Sequence, residues 1–157
     1  MNIKNLLNES SKKLDFLSNN LAKLDSEILL SKAIKKDRKY LILNPQKEID
    51  EKNTKLFSYL VERRKNREPI AYIIKNKEFW KYNFYINKDV LIPRPDTELL
   101  VEETLKLYKT NHKLQVLEIG IGSGCILLSI LKERKNFFGV GIDVSKKAIN
   151  VASFNAK

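Results

Sequence analysis

The stretch from Leu114 to Asp143, LQVLEIGIGSGCILLSILKERKNFFGVGID, admits few folds. Leu114, Val116, Leu117 and Ile119 form a short apolar run, the pattern of a strand covered on both faces. Gly120, Gly122 and Gly124 follow at spacing two, where missing Cβ atoms allow a sharp turn and a close ligand. Cys125, Ile126, Leu127, Leu128, Ile130 and Leu131 then read as a helix too apolar for an open surface. Phe137, Phe138, Val140 and Ile142 read as a second strand, with Asp143 at its carboxyl end.

In an open parallel sheet, ligands bind beyond the carboxyl ends of the strands. A helix starting near Ser123 aims its free N–H groups and positive dipole end into that crevice. An acid about 20 residues past a glycine turn is placed to accept hydrogen bonds from ribose hydroxyls. A ribose-containing cofactor is therefore expected. The dinucleotide fingerprint G-x-G-x-x-G does not fit, because the third glycine comes one position early and Cys125 takes its place. The form E-x-G-x-G-x-G, led by Glu118, is similar to motif I of class I S-adenosylmethionine methyltransferases.

The length of 157 residues suits one domain or two small ones, and 43% hydrophobic residues suffice for a core. No apolar run reaches the roughly 18 residues of a membrane span, and MNIKNLLNES lacks a signal-peptide core. A single cysteine fits a reducing compartment, so a cytoplasmic location is expected. Cys125 is read as packing rather than as a nucleophile. One cysteine and one histidine, His112 in an expected loop, speak against a zinc site. The net charge of +11 is uneven: residues 1–90 carry 20 Lys/Arg against 12 Asp/Glu, residues 91–157 carry 10 against 7. No aromatic-interleaved RNA motif accompanies it, so the excess is read as a solvated lysine surface rather than a nucleic-acid track.

Residues 1–68 read as a helical bundle. Ile3, Leu6, Leu7, Leu14, Leu17 and Leu21 form one stripe, and Asp25 or Ser26 is expected to cap a second helix. Tyr40 to Leu43 make a third piece, stopped by Asn44-Pro45. A fourth helix runs from about Asp50 to Arg67 with Leu56, Phe57, Leu60 and Val61 inward, and Pro69 prevents continuation. Residues 69–95 read as a bridging β-hairpin: Trp80, Tyr82, Phe84 and Ile86 alternate with polar neighbours, and Asn87-Lys88-Asp89 turns into Val90–Ile92. Trp80 is expected in the core. Residues 96–157 open with a helix capped by Asp96 or Thr97 and continue into the strand–turn–helix–strand. Ser145 caps a last helix with Ala148, Ile149 and Ala152 inward.

EPIAYI (Glu68 to Ile73), EFW (Glu78 to Trp80), VLIPRPDTELLVE (Val90 to Glu102) and EIGIGSGCI (Glu118 to Ile126) occur in that order. Together they resemble the bacterial peptide chain release factor N(5)-glutamine methyltransferases. The resemblance is closest over residues 67–157. It implies an α/β chain: an N-terminal helical bundle, a hairpin, then the first part of a Rossmann-like class I methyltransferase domain. It implies methyl transfer from S-adenosylmethionine to the glutamine amide of the Gly-Gly-Gln loop of a release factor. Gly120, Ile121, Gly122, Ser123 and Gly124 would line the methionine part of the cofactor, Asp143 would hold the ribose, and Glu118 would support the turn. The bundle would help hold the release factor.

The sequence also departs from this family. Arg67, Lys75 and Lys81 stand where glycine is common, and Ile121 where threonine is. The Asn-Pro-Pro-Tyr motif that grips the glutamine amide is absent, and only two strands of the sheet are expected. A truncated, inactive remnant, a non-catalytic release-factor-binding module, or one half completed by a second chain are the alternatives. A nucleic-acid methyltransferase is a further reading, disfavoured by the PRPDTE and EFW segments.

Overall fold

The structure, a computed structural model, describes residues 1–109 and 113–157. The expected loop position of His112 lies outside the described residues. By contacts the chain divides into two compact units, Met1–Ile74 and Lys75–Lys157.

The first unit holds helices α1 (Ile3–Lys13), α2 (Asn19–Ile34), α3 (Arg38–Leu43), α4 (Glu51–Lys65) and α5 (Ile70–Ile74). Asn2, Asp37 and Asp50 start α1, α3 and α4 by accepting from Asn5, Tyr40 and Asn53 N–H. Ile3, Leu6, Leu14, Leu29, Leu30, Leu41, Phe57 and Leu60 form the buried core. Burying each such side chain contributes about 1.5–3 kcal/mol relative to exposure.

The single N-terminal stripe is in fact shared by two helices. Leu14 ends α1, Leu17 lies in the connection, and Leu21 of α2 faces outward. Ser18, not Asp25 or Ser26, occupies the N-cap position of α2. Asp25 is instead buried mid-helix, where its carboxylate pairs with Arg64 of α4 at 2.7 Å. The Arg64 guanidinium also stands over the Phe16 ring and donates to the Glu68 carbonyl. Leu56 is exposed, while Phe57, Leu60 and Val61 point inward as expected. Helix α4 ends at Lys65, with Asn66 as its C-cap and before Pro69 is reached, and the Pro69 carbonyl opens α5 by accepting from Tyr72 and Ile73 N–H.

In the second unit, β1 (Lys77–Phe79) and β2 (Tyr82–Phe84) form a two-stranded antiparallel hairpin. Its turn is therefore Trp80-Lys81, earlier than the alternation suggests. Trp80 is half-buried at that turn, not in the core, with a left-handed φ of 58°. Its N–H donates to Glu98 and its Nε1 to Glu133, which also accepts from Tyr82 Oη. Asn87 to Asp89 do make a turn, with Asp89 N–H on Asn87 Oδ1, but Val90 to Ile92 are not a strand.

A 3-10 turn at Pro95–Thr97 leads into α6 (Glu98–Leu107) without a side-chain cap from Asp96 or Thr97. Then come β3 (Gln115–Ile119), α7 (Cys125–Glu133), β4 (Phe138–Ile142) and α8 (Lys146–Asn155). Strands β3 and β4 pair in parallel, Gln115 opposite Phe138 and Ile119 opposite Ile142. Ser145 caps α8 by accepting from Ala148 N–H, and Ala148, Val151 and Ala152 are buried. Ile149, expected inward, is partly exposed.

The sheet is covered on one face only. Gly139 and Gly141 let α7 and the glycine turn pack closely there: a Cβ on Gly139 would lie 2.8 Å from Leu127 and Leu131, and one on Gly141 would meet Ile121. The other face presents Leu117, Ile119, Phe138, Val140 and Ile142, each 46–77% exposed. Coverage of β3 on both faces is thus corrected, because no described element packs on that side.

Candidate functional site

The loop between β3 and α7 holds the alternating glycines. Gly120, Gly122 and Gly124 have φ of 79°, 53° and 80°, left-handed values that a Cβ penalises. Gly120 and Ile121 N–H both donate to the Ile142 carbonyl, which ties the loop to the end of β4. Gly124 is closed in by Leu128 and Ala152, so it serves packing. Gly120 is different: a Cβ there would meet nothing within 4 Å, and one on Gly122 would touch only the Gly120 carbonyl at 4.0 Å. The loop therefore offers an open glycine face beside the strand ends.

Asp143 directly follows β4. Its Oδ2 accepts from Gly122 N–H at 3.0 Å and its Oδ1 from Ser145 N–H at 2.9 Å. The Ser145 and Gly122 N–H groups hold its carboxyl below the usual carboxylate range. The acid and the loop are thus brought together as expected, and Asp143 also braces the loop. Each oxygen keeps a second lone pair for a further donor.

Glu118 supports the turn from the covered face. Its Oε2 accepts from Leu127 N–H in the first turn of α7 at 3.0 Å. Burial pushes its carboxyl up to about 7, against the opposing pull of that N–H. Ser123 is buried, and its carbonyl accepts from Asn155 Nδ2 at 2.9 Å. The same Asn155 amide pairs with both backbone groups of Tyr85. Sequence reasoning missed this clamp, since Asn155 sits near the end of an ordinary polar helix face. Ile121 turns its side chain onto Gly141, a packing rather than a polar role. Cys125 is buried, and burial pushes its thiol up, away from a nucleophile's range.

Two turns outside the loop bear on the departures noted in the sequence. Arg67 and Lys75 have φ of 64° and 56°, the left-handed region that glycine adopts freely. The turns are kept without the glycines. At Lys81 the left-handed residue is its neighbour Trp80.

Residues 5–74 match the model of the PrmC N-terminal domain, which ends where the first compact unit ends. The chain is 42% identical over 156 residues to a release factor glutamine methyltransferase of Buchnera aphidicola, covering 99% of this chain and 55% of that protein. A release factor glutamine methyltransferase of Coxiella burnetii is 42% identical over 135 residues, 86% of this chain and 49% of the relative. A bifunctional methyltransferase of Rickettsia bellii is 38% identical over 181 residues, 98% of this chain and 32% of the relative. The chain spans about half the length of the release factor glutamine methyltransferases it matches. Ordered motifs, an N-terminal domain match and this identity agree: over nearly its whole length the chain is similar to the release factor glutamine methyltransferases.

Proposed function

We propose that the second unit binds S-adenosylmethionine and that the chain serves methylation of the glutamine amide in a release factor's Gly-Gly-Gln loop. The observation that carries the reading is the open glycine face at Gly120 and Gly122, next to Asp143. A cofactor chain can lie against that backbone without meeting a Cβ, so the residues fit the group. The loop Gly120 to Gly124 would hold its methionine part, Gly120 and Gly122 presenting bare backbone while Ile121, Ser123 and Gly124 pack behind them, and Asp143 would accept from its ribose hydroxyls. When bound, the cofactor supplies an electrophilic methyl group. Glu118 keeps the loop seated on α7, and the helical bundle helps hold the release factor. The location we propose is the cytoplasm, where release factors work.

A glutamine amide is a poor nucleophile, and its N–H groups must be held by fixed acceptors. The 157 residues contain no Asn-Pro-Pro-Tyr. We therefore assign the amide grip to polypeptide that completes the sheet, such as a second chain. A second reading rests on the basic front half, 20 Lys/Arg against 12 Asp/Glu over residues 1–90: by itself the chain binds a release factor through its bundle without catalysis.

Calorimetric titration of the purified chain with S-adenosylmethionine tests the cofactor reading. Saturable binding weakened about tenfold or more by Asp143→Ala, some 1.4 kcal/mol, is expected. Binding untouched by that change refutes the assigned site, and absence of binding by a folded chain leaves the partner-binding reading. Release-factor pull-down at moderate salt tests the partner, and its failure removes both roles of the bundle.

A further inference from the structure

A hollow among the described residues lies within the first unit. It is a trough of about 600 Å³ between α1, α2 and α3. Its floor is apolar: Ile3, Leu7, Ala22 and Leu41 belong to the bundle core or pack on it. Pro45 anchors one end, its carbonyl accepting from Lys4 N–H at 2.9 Å. Ile42 lines the wall yet is 66% exposed, which leaves an apolar side chain with no cover. Around this floor stand Lys4, Lys12 and Lys23, all exposed. None of the three makes an ion pair among the described residues. The one acid on the lining, Glu27, is already matched: its Oε2 receives Arg38 Nε at 3.0 Å and Nη2 at 2.6 Å. The trough therefore presents three uncompensated positive charges over an apolar bed.

A small ligand is mostly enclosed by its site, whereas this trough is open along its lysine rim. An open apolar groove suits the apolar stripe of an amphipathic helix, read at i, i+3, i+4 and i+7. The rim sets the sign of the flanks, since complementary charge selects partners and steers their approach. We propose that this groove docks an amphipathic helical segment with acidic flanks, presented by a protein partner. Leu7 and Ile42 take its apolar stripe over the buried floor, and Lys4, Lys12 and Lys23 face its acids. The inference deepens the partner-binding reading of the bundle and rests on that reading only for the natural bearer of the segment.

The test uses the full chain and two ligands. The first is a fluorescein-labelled helical peptide of about 16 residues, leucine on one face and glutamate on both flanks, beside a lysine-flanked twin. The second is a purified class 1 release factor. Variants are Ile42→Asp, the triple Lys4→Glu/Lys12→Glu/Lys23→Glu, and a control Lys65→Glu outside the groove, each checked for an unchanged melting curve. Saturable binding of the acidic peptide alone, reduced about tenfold or more by Ile42→Asp and by the triple variant but not by the control, supports the groove. No binding of the acidic peptide, equal binding of the twin, or indifference to the groove variants overturns it. Self-association of the chain through the groove that the peptide fails to compete also overturns it. Release-factor binding that ignores the groove variants overturns the groove and keeps the partner reading. Groove-dependent peptide binding without release-factor binding does the reverse.

Discussion

Replacing Lys75 by glycine is expected to stabilise the second unit, although it deletes a whole side chain. Lys75 sits at φ 56° and Lys35, the C-terminal cap of α2, at φ 54°. A left-handed non-glycine residue costs about 1–2 kcal/mol from the clash of Cβ with the following carbonyl. Glycine relieves that clash but loses about 0.5–1 kcal/mol more conformational entropy on folding. The difference favours glycine by about 0.5–1 kcal/mol at each site, provided the lysine side chain contributes nothing. Both lysines are exposed and make no ion pair among the described residues. Lys36, beside Lys35, carries the contact to Tyr40. At Arg67, φ 64°, the guanidinium lies 5.1 Å from the Phe16 ring. Losing that stacking costs about 0.5–1 kcal/mol, so Arg67→Gly is expected to be neutral. At Trp80 the indole hydrogen bond to Glu133 is lost as well, so Trp80→Gly is destabilising. Thermal unfolding by calorimetry reads the series, with about 2–8 °C gained for Lys35→Gly and for Lys75→Gly. Lys35→Ala and Lys75→Ala keep the clash and are expected to gain little. If the glycine variants melt lower, or the alanine variants match them, the strain argument is wrong.

Burial raises the folded-state Glu118 carboxyl to about 7, above its ordinary value near 4.5, so the neutral acid favours the fold. That stability is full below pH 4.5 and is lost as pH rises through 7, and Glu118→Gln, which keeps an acceptor for Leu127 N–H, flattens the dependence of melting temperature on pH. Asp25→Ala leaves the partly buried Arg64 guanidinium with the Glu68 carbonyl as its only acceptor among the described residues, and a loss of about 1.5–3 kcal/mol is expected in urea unfolding of the first unit. Gly141→Ala pushes the Ile121 side chain off the sheet, since Cγ1 would lie only 2.8 Å from the new Cβ. A cost of about 1–3 kcal/mol and weaker S-adenosylmethionine binding are expected, and unchanged values of both would remove Ile121 from the loop's support.

The strand–turn–helix–strand was readable because its signals are local. Short apolar runs, three left-handed glycines and an acid at a strand end need no distant partner to be recognised. The capped start of α8 is equally local, with Ser145 three residues before Ala148. The break between α1 and α2 was hidden because Leu14, Leu17 and Leu21 keep helical spacing through it and no glycine or proline marks it. Asp25 looked like a cap because a lone acid before apolar residues commonly is one. Its true partner is Arg64, 39 positions away, and only the packing of α2 on α4 brings them together. Lys77-Glu78-Phe79 carries too little apolar signal to read as a strand, and it forms by pairing with β2. The Asn155 clamp on Ser123 and Tyr85 was invisible for the same reason.

The hairpin turn has a consequence for how such sequences change over time. Glu98 holds the backbone N–H of Trp80, whereas Glu133 holds its indole, the Tyr82 hydroxyl and the Lys81 ammonium. The first contact is blind to the identity of residue 80, so an acid at 98 survives drift at the turn. The second is not, so an acid at 133 should persist only in lineages that keep a donor at 80, 81 or 82. Two carboxylates around one turn thus carry different histories, one tied to a backbone shape and the other to its neighbours' side chains.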